Sequence, residues 1–432
     1  MLVNFSFSNY KAYLQPTDFS MVAGRFTTHG TSRIAIPGER YAKLLPITAI
    51  YGGNASGKST FIHAMKCLRR IVLQGSVDHV EPHLFSHEGK TMPTTFKCTF
   101  SIEKHVMEYR IEVFSKRVIR ESLIDTTKGQ NKCIYDRRPG ETCIIGKEIS
   151  DKCPKDELTY ATKMGTSLPD KEVFLTTIMK LQVSAFIPEA THCHKWFAET
   201  LCIIEADSCR VGLGLDLLTQ LSNYSTALAD ADTGVEKLQF HEVNANIEDI
   251  VPQHFISDFK TSDDNVRVVP NDHSMLLVKD GTDIKAIKCY SAYSAADGTE
   301  TIIPLSKESD GTRRYLHLLP ILLDKQRDRV YLVDELDRSL HTTLSKCLIR
   351  NFRRIVESKE RKLQLIFTTH DVILMEGDNF RKDEIWVTER DEMHQAHLIA
   401  MAEFKDIRPD NQLRKSYLEG RMGGLPNMNC CV

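Results

Sequence analysis

Eight consecutive residues, Gly52-Gly53-Asn54-Ala55-Ser56-Gly57-Lys58-Ser59, fit the spacing GxxxxGK[ST]. Glycines let backbone N–H groups curl around an anion, and a helix beginning where the loop ends adds partial positive charge. Such a loop cradles phosphates. Gly52, Asn54, Ala55, Ser56 and Gly57 are the expected cradle, with Thr60 on the helix turn behind them. Lys58 is placed to reach β- and γ-phosphates, and the Ser59 hydroxyl to ligate Mg²⁺. The expected ligands are therefore ATP and Mg²⁺.

A second chemical feature comes far downstream. Val330-Tyr331-Leu332-Val333 is a buried-strand pattern that delivers two adjacent carboxylates, Asp334 and Glu335, at its C-terminal end. Ligands of open α/β sheets bind at that end. Asp334 would share Mg²⁺ with Ser59, and Glu335 would orient or deprotonate an attacking water. An apolar run followed by Asp-Glu is common by itself; beside the loop it becomes specific.

Glu308-Ser309-Asp310-Gly311-Thr312-Arg313-Arg314 precedes the carboxylates, with Ser309 lying 25 residues before Asp334. A Ser-x-Gly turn opening a helix there resembles the signature of ABC-type ATPases. In that class, Ser309 and Gly311 would cap the γ-phosphate held by the loop of a second subunit. Ser309 or Asp310 acting simply as an N-cap is the plainer reading, and both can hold. Asp337-Arg338-Ser339-Leu340-His341 resembles the loop that contacts the opposite subunit in the same class. Ile366-Phe367-Thr368-Thr369-His370 resembles a strand ending in the switch histidine, which makes His370, with Glu335, a candidate catalytic residue. ABC-type sites also carry a glutamine loop. Gln74 falls on the first helix and Gln182 in a helical stretch, so neither is assigned.

These groups need elements to hold them. Val3, Phe5 and Phe7 alternate with polar residues, as in a half-buried strand, and Ile47–Tyr51 is a second strand. Phe61, Ala64, Met65, Leu68, Ile71 and Val72 recur at helical spacing, predicting a helix over 58–74. Alternation at Phe96–Ile102 and Tyr109–Val113, with a turn near Glu103-Lys104, predicts an antiparallel hairpin. Residues 126–170 are polar and read as a surface excursion, and 172–238 as an inserted helical domain. Strand signals return at 266–278 and 285–290. Apolar runs at 330–333, 365–368 and 385–387, separated by helical stretches, imply a parallel sheet. The expected fold is thus α/β: an ABC-type head with a parallel P-loop core, an antiparallel β subdomain and a helical insertion. The lobes are expected at 1–125 and 261–432, with the excursion and insertion at 126–260 between them.

Composition bounds the class. The chain has 432 residues, 41% hydrophobic and 26% charged, with net charge −2. That balance suits a globular protein and does not advertise nucleic acid. No apolar stretch approaches the roughly 20 residues that span a bilayer. Twelve cysteines without a CxxC pair, and no leader-like start, predict reduced thiols in a cytoplasm. Adjacent side chains diverge, so His192-Cys193-His194 reads as a chance cluster rather than a metal site.

Together the motifs resemble the heads of RecF, SMC and OLD ATPases. The opening Phe5-Ser6-Phe7-Ser8-Asn9-Tyr10-Lys11 resembles the first strand and turn of those heads. Over nearly its whole length the chain resembles stand-alone AAA-type ATP-binding proteins of bacterial and archaeal phage-defence loci. That likeness rests on Phe19–Gly24, Asp232-Thr233-Gly234-Val235, Glu308–Arg314, and the closing Tyr417-Leu418-Glu419-Gly420-Arg421-Met422-Gly423-Gly424-Leu425-Pro426. Members resemble the ATPase halves of PARIS, Septu, retron and Rlo-type systems. The resemblance implies a homodimer through composite ATP sites, with a higher oligomer left open, and a separate nuclease or toxin as effector. Nucleic acid would enter through that partner. Only about 60 residues follow His370, too few for an appended nuclease domain. The rival reading is a RecF- or SMC-like DNA-maintenance ATPase, although no heptad run is sustained long enough for a long coiled coil.

Overall fold

The computed structural model describes the chain except for residues 26–32, 181–186, 207–217, 263–264, 270–271, 282, 325–327, 359–360, 377–378, 405–412 and 425–432. Gln182, Leu425, Pro426 and the terminal Cys430-Cys431 lie outside the described residues. The chain divides into two compact units. The first comprises Met1–Ile203, Arg327–Leu336 and Arg353–Val432; the second comprises Ile204–Gln326 and Asp337–Phe352.

In the first unit, the strand order of the central sheet is Leu201–Ile204, Arg329–Val333, Leu363–Thr368, Ile47–Gly52, Ile385–Arg390, Ala396–Ala400. The four strands from Arg329–Val333 to Ile385–Arg390 run parallel, and Ala396–Ala400 returns antiparallel as a hairpin. Every residue of Ile47–Gly52 and Leu363–Thr368 is buried. Strands covered on both faces are largely apolar, with Thr48, Gln364 and Thr368 the buried polar exceptions here, which is why their runs do not alternate.

The helix spans Lys58–Gln74, as its spacing predicts, and buries Phe61, Ile62, Ala64, Met65, Leu68, Ile71 and Val72. Gly57 and Gly75 stop it at both ends in left-handed conformations, and the Gly75 N–H closes the last turn on the Ile71 carbonyl. Its apolar face meets an aromatic cluster. Phe61 packs on Phe19 at 4.9 Å and Phe5 at 5.9 Å between ring centroids, with Phe7 against Tyr13 at 5.0 Å. Truncating a ring of this kind to alanine costs about 3–5 kcal/mol.

Phe5, Phe7 and Phe19 come from a seven-stranded antiparallel sheet, ordered Ile144–Ile145, Lys132–Arg137, Arg117–Asp125, His105–Phe114, Thr94–Ile102, Leu2–Ser8, Thr17–Ser20. The hairpin turn falls at Glu103, which takes φ 52°. Residues 126–170, expected as a surface excursion, instead extend this sheet by two strands and add the helices Lys147–Ser150 and Lys155–Ser167. The physical reason is a charge buried where a polar sequence suggests solvent. Arg137 is fully buried and donates to the carbonyls of Gly165, Leu168, Pro169 and Glu172. Glu121, also fully buried, accepts from the hydroxyls of Tyr109 and Tyr135 and from the N–H groups of Phe174 and Leu175. The two charges lie 4.0 Å apart. Burial pushes the Glu121 carboxyl above its ordinary range, and the two N–H groups and Arg137 pull it back.

The stretch 172–238 is helical at Phe174–Lys180, Pro188–Lys195 and Leu221–Asp230, but Leu201–Ile204 is a strand of the central sheet. Four apolar residues are too few for periodicity to separate strand from helix.

The second unit is an antiparallel sheet ordered Lys237–Glu242, Asp283–Ser294, Asp272–Asp280, Val266–Val269, with Glu300–Pro304 also paired to Asp283–Ser294. Val251, Ile256, Phe259, Met275, Leu277 and Ala286 form a core there. The unit includes the helices Leu221–Asp230, Gln253–Thr261 and Asp310–Leu318. No helix among the described residues is long and apolar enough to cross a membrane.

Candidate functional site

Three parallel strands end side by side: Ile47–Gly52, Leu363–Thr368 and Arg329–Val333. Each releases part of the site at its C-terminal end. After Gly52 the chain turns through Ala55 at φ 59° and Gly57 at φ 110° before the helix starts at Lys58. Glycine is required by contact at both ends of the loop. A Cβ on Gly52 would lie 2.2 Å from the Thr388 hydroxyl, and one on Gly57 would lie 2.7 Å from the Ala396 methyl. Asn54 and Ala55 are exposed at the lip, Ser56 and Gly57 are buried, and Thr60 is half-buried on the first helical turn.

Lys58 is 5% exposed. Its ammonium donates to the carbonyls of Gly52 and Gly53, each at 2.8 Å, so the cation stands inside its own loop. It also lies 3.4 Å from His370 Nδ1. An ammonium can only donate, so His370 accepts there and carries its proton on Nε2. That nitrogen faces Glu335 Oε1 at 4.0 Å.

Asp334 is nearly buried. Its Oδ1 accepts from the Thr368 hydroxyl at 2.6 Å and from the Ser59 hydroxyl at 3.2 Å. Thr368 Oγ1 also accepts the Glu335 N–H at 2.7 Å, and the Leu336 N–H bonds the Thr368 carbonyl at 3.0 Å. These bonds hold Glu335 at φ 48°, in the left-handed region that a non-glycine residue enters only when its surroundings compel it. The strand turns sharply there. Glu335 and His370 side chains stay 33% and 38% exposed, within reach of solvent water.

The structure thus brings Lys58, Ser59, Asp334, Glu335 and His370 together around one loop. Two hard oxygens, from Ser59 and Asp334, face each other at 3.2 Å. This fits Mg²⁺, which takes one or two protein ligands and completes its shell with phosphate and water. Thr368 is a residue whose role sequence reasoning missed. It lies within the strand pattern, but its contact with Asp334 exists only through the parallel register of the two strands.

Ser309 and Gly311 belong to the second unit. Ser309 caps the helix Asp310–Leu318: its hydroxyl accepts the Thr312 N–H at 3.1 Å. The N-cap reading therefore holds. Asp310 pairs with Arg313 on the first turn. Gly311 is pressed against the loop that follows the carboxylates, where a Cβ would lie 2.8 Å from the Ser339 carbonyl, and Ser339 itself takes φ 59°. Glu308, just before the cap, accepts from the Tyr293 hydroxyl at 2.7 Å. Gln74 accepts from Arg70 on the last turns of the first helix.

A phosphate-cradling loop between a parallel strand and a helix, with paired carboxylates at the end of the next strand but one, defines a P-loop nucleotide-binding protein of mixed α/β fold. The chain belongs to the family described as "AAA domain, putative AbiEii toxin, Type IV TA system", whose family model matches residues 47–160 and 220–376. Among solved structures it is similar to an SMC head bound to the C-terminal winged-helix domain of ScpA (12% identity, 92% of this chain and 97% of that one, TM-score 0.42). It is also similar to the SMC head domain from Thermotoga maritima (13%, 92% and 98%, TM-score 0.35). A third is an SMC head with an extended coiled coil bound to the C-terminal domain of ScpA from Pyrococcus furiosus (11%, 92% and 95%, TM-score 0.38). No curated protein matches the sequence.

Proposed function

We propose that the chain is an ABC-type ATPase that hydrolyses ATP to ADP and phosphate, and that it serves as the sensing or scaffold subunit of an anti-phage defence system. The observation that carries the catalytic part is the convergence of Lys58, Ser59, Asp334, Glu335 and His370 on one loop. The phosphates enter the cradle, and Lys58 exchanges its loop carbonyls for phosphate oxygens. Ser59 and Asp334 hold Mg²⁺, which neutralises phosphate charge when bound. Glu335 takes the proton of the water that attacks the γ-phosphorus as the bond to the bridging oxygen breaks. His370, protonated on Nε2, donates toward the γ-phosphate and the attacking water.

The Ser309–Gly311 turn supplies a helix start for the γ-phosphate of a second subunit, so two chains close around two ATP molecules and reopen on hydrolysis. The defence role is supported by the family's description as a toxin-system AAA domain. The effector in this reading is a separate nuclease or toxin, and the chain works in the cytoplasm.

Two measurements test the reading. Lys58→Ala should abolish ATP binding by calorimetry, and normal binding would remove the P-loop assignment. Light scattering of Glu335→Gln should give a dimer with ATP and a monomer without it; a monomer in both conditions rejects the composite site. A pull-down of Glu335→Gln from the native host then separates a toxic partner from DNA-repair proteins, which would favour a DNA-maintenance role.

A further inference from the structure

The closing motif Tyr417–Gly424 carries no chemistry of its own, yet it lands against the strand that flanks the phosphate loop. The helix Leu413–Leu418 ends in a glycine-rich turn, with Gly420, Gly423 and Gly424 at φ 72°, 68° and 73°. The Tyr417 hydroxyl donates to the Gly424 carbonyl at 3.0 Å and closes the turn on itself. Tyr417 is buried, with its ring 6.1 Å from that of Tyr51, the residue before Gly52. Gly424 sits on the strand Ile385–Arg390 so closely that a Cβ would fall 2.4 Å from a Val387 methyl and 3.2 Å from the Thr388 carbonyl. A Cβ on Gly423 would fall 2.0 Å from the Glu389 carboxylate. Three consecutive residues of that strand are thus held from one side by the turn.

The middle one, Thr388, is paired in register with Gly52 and is fully buried. Its hydroxyl lies 3.2 Å from the Tyr51 carbonyl and 2.6 Å from the Ser56 hydroxyl. A threonine hydroxyl has one hydrogen. Donating it to the Tyr51 carbonyl leaves only its lone pairs for Ser56, so Ser56 is the donor. The order is Ser56 to Thr388 to the backbone of Tyr51. This one-way relay ties the middle of the phosphate loop to its own entry strand. Gly52 is moulded around the same hydroxyl, since it leaves no room there for a Cβ.

We propose that Thr388 is a positioning residue for the phosphate loop, and that the Tyr417–Gly424 turn is the prop that keeps it in place. The inference rests on the nucleotide-binding reading above. The backbone N–H groups of residues 53–58 must already point inward when phosphate arrives, and a loop that has to be ordered on binding loses affinity. Pinning Ser56 from below fixes the loop without placing any side chain in the phosphate cradle. The turn acts on the loop through the strand on which it is seated.

The test is ATP affinity and steady-state hydrolysis of the full chain with Thr388→Val, which keeps the shape and removes the hydroxyl. ATP should bind about tenfold more weakly, as expected when a buried hydroxyl loses its acceptor. KM should rise by more than kcat falls, and Thr388→Ser should restore both. Ser56→Ala removes the other end of the relay, so the double variant should be no weaker than either single one. Gly424→Ala, which crowds Val387 and the Thr388 carbonyl from the turn's side, should weaken binding in the same direction. Unchanged affinity in Thr388→Val, with unchanged melting temperature, overturns the proposal. If Thr388→Val does not fold, Ser56→Ala and Gly424→Ala decide alone: wild-type affinity in both overturns it. Failure of the unmodified protein to bind ATP is a different result, which removes the nucleotide reading and this inference together.

Discussion

Two acid–base pairs in the first unit show how one structure uses a glutamate for different ends. Glu121 and Arg137 are sealed from solvent, and each is surrounded by fixed partners: two tyrosine hydroxyls and two N–H groups for the carboxylate, four carbonyls for the guanidinium. Glu335 and His370 stand 4.0 Å apart, too far for a direct hydrogen bond and with a third or more of each side chain exposed. The first pair stitches a helix start and a loop onto a sheet. In the second, the Glu335 backbone is fixed by Thr368 and the His370 ring meets the Lys58 ammonium, while both side chains stay open to solvent. Fixed partners on every side mark a charge that holds structure; a fixed backbone under an accessible head group marks one that can react.

Substitutions can break or sharpen that contrast. The largest effect is expected from Glu335→Gln, which should lower ATP turnover by about 10²–10⁴ while ATP binding survives, measured by phosphate release and calorimetry. Arg137→Ala should do the reverse. Leaving Glu121 buried without its cation should cost about 3–5 kcal/mol of stability by denaturant titration, with little direct effect on turnover in the protein that remains folded. Equal effects of the two changes on turnover would dissolve the distinction. Thr368→Val should fall between them. It frees both Asp334 and the Glu335 N–H from their shared hydroxyl, so turnover should drop about tenfold with a smaller loss of stability. The smallest stability effect belongs to Ser309→Ala, about 1 kcal/mol for a lost N-cap. If the turn also serves a second subunit, turnover should fall by more than that loss explains, and the deficit should appear in ATP-linked dimerisation.

The loop, its helix and the carboxylate strand were legible because each is encoded locally. Gly57 and Gly75 bracket the helix, and its buried positions recur within a single window. The supporting hydroxyls were not. Thr368 reaches Asp334 only because the two strands pair in parallel, and Thr388 reaches Ser56 across more than 300 residues of sequence. Nothing near either threonine distinguishes it from any other strand residue. Arg137 misled in the opposite direction. A charged residue in a polar stretch reads as surface, and its burial follows from carbonyls contributed by residues 165–172, which no local pattern announces. The left-handed turn at Glu335 was likewise hidden, since glutamate is not a residue that signals positive φ.

The position of Ile47–Gly52 also has a consequence for synthesis of the chain. Both of its neighbours in the sheet, Leu363–Thr368 and Ile385–Arg390, are translated some 300 residues later. At about 5–20 residues per second, the loop strand waits roughly 15–60 s on the ribosome with no partner on either edge. During that interval six residues destined to be buried present unpaired backbone groups, the feature that invites pairing with another nascent chain. Ribosome-bound chains stalled before Leu363 should therefore hold the loop strand unprotected from hydrogen exchange, and release of the last strands should close it in one step.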